Sequence, residues 1–409
     1  MPTNQLLDPP VTLAPHYLDA ISLGKIVLIR EQLLKAQAAG TKVYRFESGD
    51  PSFPVAGPVL QAIGAAAASG KTHYIPNNGI PQLREALAQK VREKNHVTGV
   101  TADDIFVTNG AMHALYVTFG ALLTPGDEVI VPDPMWTEVV ENIRMAGGVP
   151  VGVELSAADE FEYRTARIEA AITPRTRAIF LNTPHNPTGA VLPRDRLAEI
   201  LELARSHDLW VISDEAYEDV LYEPWSHTSI ASLAGDYADR VISIFSFSKS
   251  HAMSGLRVGY VVATSELLKE RIPKLLRCTI NGVNSLAQWG ALAAVNGDSE
   301  HLASMRSEYA TRRRIMLDAL HGIPGIRPFA PHGAFYVWVE IDPSAYGRLG
   351  VAGAGELSEQ LAAAGIGSAP GDAFGETCAD AIRFAYSCDS LMVTEGSVLL
   401  RAALSRGLA

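Results

Sequence analysis

The sequence predicts an α/β protein. A large, mostly parallel seven-stranded sheet is covered by helices on both faces, and a smaller α+β unit is built from both chain ends. Three observations lead there. Short β-branched runs alternate with helical patterns through the middle of the chain, which is the mark of strand–helix–strand crossovers. Several of these runs are nearly continuous in Val, Ile and Phe, as strands covered on both faces should be. Beyond about residue 265 the alternation gives way to long helical segments with two further strand patterns.

Taken in order, a helix is expected over 22–39 and a strand over 42–47, both outside the central alternation and assigned to the smaller unit. The central strands are expected at 104–108, 128–131, 150–153, 178–181, 210–213, 241–245 and 258–262. The clearest helix between them covers 193–207. Pro193 suits a first-turn position, and Leu197, Ile200, Leu201 and Ala204 fall at i, i+3, i+4 and i+7. Helices follow over 286–294, 304–320 and 353–364, strands over 334–340 and 381–386, and then a terminal helix. The expected division is 1–48 as an N-terminal arm and part of the small domain, 49–298 as the large domain, and 299–409 as the small C-terminal domain.

Composition bounds the function. The 409 residues are 47% hydrophobic and 19% charged, an ordinary globular balance in a chain long enough for two or three domains. Lys plus Arg total 34 against 45 Asp plus Glu, a net charge of −11, which argues against broad nucleic-acid or anionic-membrane binding. Two uncharged windows, 105–126 and 279–297, are broken by Asn109, His113 and Pro125 and by Asn281, Asn284 and Gln288. They read as buried segments rather than lipid-facing helices. Cys278, Cys378 and Cys388 show no CxxC spacing, which points to a reducing cytoplasm, and no signal peptide is expected in the first residues. No metal-binding cluster is expected.

Open α/β sheets bind ligands beyond the carboxyl ends of their strands, so the informative residues should follow strands. Ser246-Phe247-Ser248-Lys249 does so. A lysine flanked by hydroxyls has no obvious ion-pair partner, and burial would lower its pKa as a Schiff-base lysine requires; taken alone, it reads more readily as a solvated loop lysine, since loop lysines are mostly on the surface. Arg257, eight residues on, can grip a phosphate or carboxylate through two parallel hydrogen bonds, or form a surface ion pair. Asp214, after the 210–213 strand, can stabilise a protonated ring nitrogen or cap a following helix, and Tyr217 could donate to a phenolate oxygen. Asn186 lies in Asn186-Pro187-Thr188-Gly189, which is also ordinary turn chemistry. Gly110-Ala111-Met112 opens a helix after the 104–108 strand and leaves backbone N–H groups free for a phosphate.

The ordered set of Asn186-Pro187-Thr188-Gly189, Asp214-Glu215-Ala216-Tyr217, Ser246-Phe247-Ser248-Lys249 and Gly255-Leu256-Arg257 resembles the class I/II pyridoxal-phosphate-dependent aminotransferases of fold type I. Further matches are Glu47-Ser48-Gly49-Asp50-Pro51, the stretch 73–79, Pro370-Gly371-Asp372-Ala373-Phe374-Gly375 and Ile382-Arg383-Phe384, so the likeness runs from about residue 21 to 400. The resemblance implies that Lys249 holds pyridoxal 5′-phosphate as an internal aldimine and that Asp214 pairs with the ring nitrogen. It places Asn186 and Tyr217 at the 3′-oxygen, and Ser246, Ser248, Arg257 and the Gly110–Ala111–Met112 turn at the phosphate. Trp136 would stack on the ring, and Tyr74 would reach the phosphate of a neighbouring subunit, which implies a homodimer with shared sites. Arg383 would clamp the substrate α-carboxylate, with Gly49 and Asn186 beside it.

The implied reaction moves an amino group between an L-amino acid and a 2-oxo acid, with 2-oxoglutarate as the default acceptor. One departure bears on the donor: an aspartate-using subgroup carries Lys where this chain has Met112, although Arg277 lies in a segment that can approach a partner's site. The rival within the fold is a C–S or other β/γ-lyase using the same cofactor residues. A distant rival is a serine–lysine acyl-enzyme at Ser246 and Lys249, for which the companion Ser-Asp-Asn and Lys-Thr-Gly motifs are missing.

Overall fold

The computed structural model describes residues 17–21, 24–297 and 299–406. The arm expected over 1–16, the first two residues of the helix expected over 22–39, and the chain end at 407–409 lie outside them.

Seven strands form the large sheet: β1 (Ile105–Thr108), β2 (Glu128–Asp133), β3 (Val149–Glu154), β4 (Thr176–Asn182), β5 (Trp210–Asp214), β6 (Val241–Ser246) and β7 (Gly259–Ala263). Their order is β1-β7-β6-β5-β4-β2-β3. Strands β3, β2, β4, β5 and β6 run parallel, and only β7 pairs antiparallel with its neighbours, β1 and β6. The alternation of side chains along each strand supplies two cores. Ile130, Ile179, Leu181 and Val211 face one layer, which includes the helix Arg194–Ser206. Val129, Val131, Phe180, Ile212 and Ile244 face the other, with the helices Gly110–Leu122 and Glu266–Thr279. The edge strand β3 is the one left largely open to solvent.

The second sheet is antiparallel, in the order β10-β11-β9-β8, with β8 (Ile326–Pro328), β9 (Tyr336–Ile341), β10 (Ala369–Pro370) and β11 (Ala381–Ala385). One face packs Val337, Val339, Ile382 and Phe384 against Tyr309, Met316 and Leu400 of the helices Glu300–Leu320 and Ser390–Arg406. The other turns Trp338 and Ala369 toward the core beside β4 and β5. The N-terminal helix Lys25–Ala38 buries Ile29 and Leu33 with Ala362 of the helix Ala354–Ala363, so it rests on this second sheet's layer. No helix among the described residues is long and apolar enough to cross a membrane.

Three local expectations need correction. The strand expected at 42–47 is absent. Tyr44 makes a single parallel bridge to Ile366, after which the Phe46 N–H returns to Tyr44 O at 3.0 Å, so the chain turns instead of extending a ladder. The strand expected from 334 starts at Tyr336, because Ala334 holds φ +56°, which breaks extended pairing. Pro193 caps its helix from outside, at ψ 155°, rather than occupying the first turn.

The strand ends lie close to the backbone of the neighbouring turns. A Cβ at Gly259 would sit 2.7 Å from Gly110 C, 2.8 Å from Ala111 N and 2.9 Å from Phe245 O, all of them main-chain atoms that cannot step aside. Gly259→Ala is therefore expected to lower stability by about 1–3 kcal/mol. Thermal unfolding should show a reduced midpoint, while Gly255→Ala, where a Cβ meets open space, should leave it nearly unchanged.

Candidate active site

Because β1, β2, β4, β5 and β6 share one direction, their carboxyl ends meet along one edge of the sheet. The antiparallel β7 starts at that same edge, so Arg257, two residues before it, arrives there as well. A cavity of about 450 Å³ opens at this edge. Its walls carry Lys249, Asp214, Tyr217, Asn186, Ser246, Ser248, Arg257, Trp136, Met112, Ala111, Gly49 and Arg383. Gly110 stands just behind: at φ +80°, a Cβ there would lie 2.6 Å from Arg257 Nη2. Tyr74 is not part of the cavity. Its side chain is 91% exposed, in a loop facing 280–285. Arg277 is exposed on its helix and does not reach the cavity either. A larger space of about 750 Å³ opens beside Lys90, Glu218 and His251 and shares only Ser246 with the set above.

Each side chain is placed by local structure. Ser246 ends β6 and caps the short helix Phe247–Ser250, its Oγ accepting from Ser248 N at 3.2 Å. This turn projects Lys249, whose Nζ donates to Gly49 O at 2.5 Å. No acid pairs with Lys249, and burial lowers its pKa to about 8 against the opposing pull of Asp50. The amine bonds to Gly49 O and not to Ser246, so the serine–lysine couple that an acyl-enzyme needs is not formed. Asp214 closes β5 with Oδ1 accepting from Ala216 N at 3.0 Å; burial raises its carboxyl to about 6. Tyr217 is buried, its hydroxyl 2.7 Å from that of Tyr336, and burial pushes it well above the usual tyrosine range.

At one end Arg257 adopts φ +56°, donates to Ser254 O at 2.7 Å and faces Asn109 O. With Ser246, Ser248 and the first turn of the helix Gly110–Leu122, it forms a cradle of donors for an anion. At the other end Arg383, on β11, is 3% exposed. Its Nη1 donates to Asn186 Oδ1 at 2.9 Å and its Nη2 to Glu47 O at 2.8 Å, between the rings of Tyr336 and Phe374. Nε has no partner. Asn186 is itself anchored, its N–H donating to Asn182 Oδ1 at 2.8 Å while Asn182 Nδ2 donates to Asp214 O.

An anion cradle, an amine, a buried acid, an aromatic wall and a second guanidinium in one elongated cavity could hold a phosphorylated aromatic aldehyde with a carboxylate beyond it. Tyr336, Asn182, Glu138 and Arg30 also line the cavity and were not singled out from the sequence. Tyr336 sits in the apolar alternation of β9, and Glu138 occupies a first helical turn, where acids are common.

Such a site on this fold defines an enzyme of the amino–carbonyl exchange type. The chain matches the model of the aminotransferase class I and II family over residues 40–396 and belongs to that family of pyridoxal-phosphate enzymes. It is 34% identical to an aspartate aminotransferase of Musicola paradisiaca over 92% of this chain and 94% of that one. It is 37% identical to an arginine–pyruvate transaminase of Pseudomonas aeruginosa over 84% and 85%. The solved aspartate aminotransferase of Thermus thermophilus with maleate superposes with a TM-score of 0.88 at 32% identity, covering 96% of this chain and 99% of that one.

Asp214 yields a pH prediction. Folding holds its proton up to about pH 6, whereas the unfolded chain releases it near 3.8. The folded state thus binds more protons in this window, and the stability of cofactor-free protein falls as pH rises from about 4 to 6. Asp214→Asn keeps the acceptor for Ala216 N–H and removes that loss. Cofactor-free Asp214→Asn is expected to unfold about 1–3 kcal/mol harder than wild type at pH 7, with the gap closing toward pH 4, in thermal scans across pH.

Proposed function

We propose that this aminotransferase transfers an amino group between an L-amino acid and a 2-oxo acid, with 2-oxoglutarate as the default acceptor, using pyridoxal phosphate held by Lys249. The observation that carries this reading is the convergence, in one cavity, of a desolvated amine held by a carbonyl and not by an acid, a buried acid, Arg383 and an anion cradle. Ser246, Ser248, Arg257 and the Gly110–Ala111 turn would bind the phosphate, Trp136 would cover the ring, and Asn186 with Tyr217 would meet its 3′-oxygen. Bound there, pyridoxal phosphate supplies an electron sink for a carbanion at the substrate α-carbon.

The remaining work falls to the chain. Asp214, kept from water, would favour the protonated form of a ring nitrogen placed beside it, since an opposite charge nearby stabilises the cation. Arg383 binds the substrate carboxylate, and its links to Asn186 and Glu47 O orient it before substrate arrives, so little ordering remains to be done on binding. Lys249, with a pKa of about 8, carries a usable fraction of free amine near neutral pH. Its Nζ can therefore take a proton from the substrate α-carbon and return it one position along. The Tyr336 hydroxyl bonds to that of Tyr217 and lies where any side chain at position 49 would have to go, so only glycine fits beside it there.

A homodimer with shared sites fits the exposed Tyr74 and the open loop at 280–285, where a second subunit would lie. Three free cysteines support a reducing compartment such as the cytoplasm.

Two results test this reading. Borohydride treatment of the holoenzyme should fix the cofactor to Lys249, read by mass spectrometry, and Lys249→Ala should neither be labelled nor transaminate. A panel of amino donors against 2-oxoglutarate and pyruvate should give oxo acid without free ammonia; ammonia released without an acceptor would assign a lyase instead. Arg383→Lys, which loses the two-pronged grip, is expected to cut kcat/KM by about 10–100-fold.

A further inference from the structure

Among the described residues, the cavity holds one acid with no hydrogen bond to its Oε2 and no ion-pair contact, although the charge of Arg383 reaches it. Glu138 lies in the first turn of the helix Thr137–Met145, directly after Trp136. Its Oε2 is closed off from solvent, and among the described residues it has no hydrogen-bond partner and Glu138 forms no ion pair. The other acids of the cavity are engaged: Glu47 by Arg45, Asp50 by the Ser254 hydroxyl, and Asp214 by Ala216 N–H. A first-turn acid normally serves the helix from its solvent side. This one is turned inward, and burial raises its carboxyl above the usual range.

The wall beside it is apolar, formed by Met112 and Trp136. Asn142 Nδ2 donates to Met112 Sδ at 3.2 Å and to Glu138 O at 2.7 Å, which ties the Met112 wall to the Glu138 turn. Met112 and Trp136 thus offer apolar surface leading to a carboxylate. Two cations bear on this carboxylate's surroundings: Arg30, on the helix Lys25–Ala38, is exposed and screened by water, and the buried Arg383, whose charge reaches Glu138, is already bonded to Asn186 Oδ1 and Glu47 O.

We propose that Glu138 is a specificity residue selecting an amino donor whose side chain has a methylene stem and a terminal cationic nitrogen, guanidinium or ammonium. This rests on the aminotransferase reading above. The stem lies along Met112 and Trp136, and the cation meets the partnerless carboxylate.

The test is the donor half-reaction of the holoenzyme, followed by cofactor absorbance, with L-arginine, L-lysine, L-norleucine and L-aspartate. In wild type kcat/KM for arginine or lysine should exceed that for norleucine by about tenfold or more, and the two cations separate guanidinium from ammonium recognition. Glu138→Gln, with its cofactor spectrum unchanged, should lose about 10–100-fold on the cationic donor while norleucine stays within about threefold. An equal loss on norleucine would make Glu138 a structural residue and overturn the proposal, as would a wild-type preference for aspartate over both cations. Conversion of norleucine without any cation preference defeats this inference alone. No conversion with any donor defeats the aminotransferase reading, and this one with it.

Discussion

The Lys249 ε-amine is largely desolvated without an acid in contact, donating to Gly49 O instead. Everything else at the site is arranged around that desolvation. An amine beside a carboxylate would be pinned as an ammonium, whereas one held only by a carbonyl can lose its proton near neutral pH. The carbonyl comes from the N-terminal segment 47–50, far away in sequence, so the amine is positioned only once this segment has packed on the sheet edge. Asp214 lies across the same cavity, close enough for its charge to be felt and too far for an ion pair.

Two buried ionisable groups with displaced pKa values are costly to the empty protein. The apolar layers on both faces of the large sheet offset that cost. The hydrogen-bonded run from Glu47 O through Arg383 to Asn186 and Asn182 does further service. It joins the N-terminal segment, β11 and the loop after β4, so the guanidinium is oriented by three separate parts of the chain. A ligand carboxylate then meets a group that has little freedom left to lose.

The inner strands were legible because their burial on both faces favours near-continuous runs of Val, Ile and Phe, the exposed edge strand β3 because of its alternating valines, and the helix Arg194–Ser206 because its apolar positions keep a single period. The reversal of β7 was not, since nothing in Gly259–Ala263 distinguishes an antiparallel strand from a parallel one. The segment 42–47 has the composition of a strand, yet both Tyr44 and Phe46 are buried in the core beside β9, and the chain bends to put them there. Local composition records what a residue prefers; it does not record which neighbour it will meet.

The same division runs through the cavity. The chemical types were readable because several such groups follow strands in one order along the chain; Ser-Phe-Ser-Lys or Asn-Pro-Thr-Gly alone would pass for a loop lysine or a plain turn. Glu138 and Tyr336 looked like an ordinary first-turn acid and an ordinary strand aromatic. Taken alone, the sequence determined the layered architecture and the kinds of group available for chemistry, because periodicity and turn residues act over a few neighbours. The tertiary structure alone decided that an unpaired carboxylate faces into the cavity, that Gly49 O receives the amine, and that Arg383 is aimed before a ligand arrives. These depend on burial and on contacts between segments as much as two to three hundred residues apart, and no local pattern encodes them.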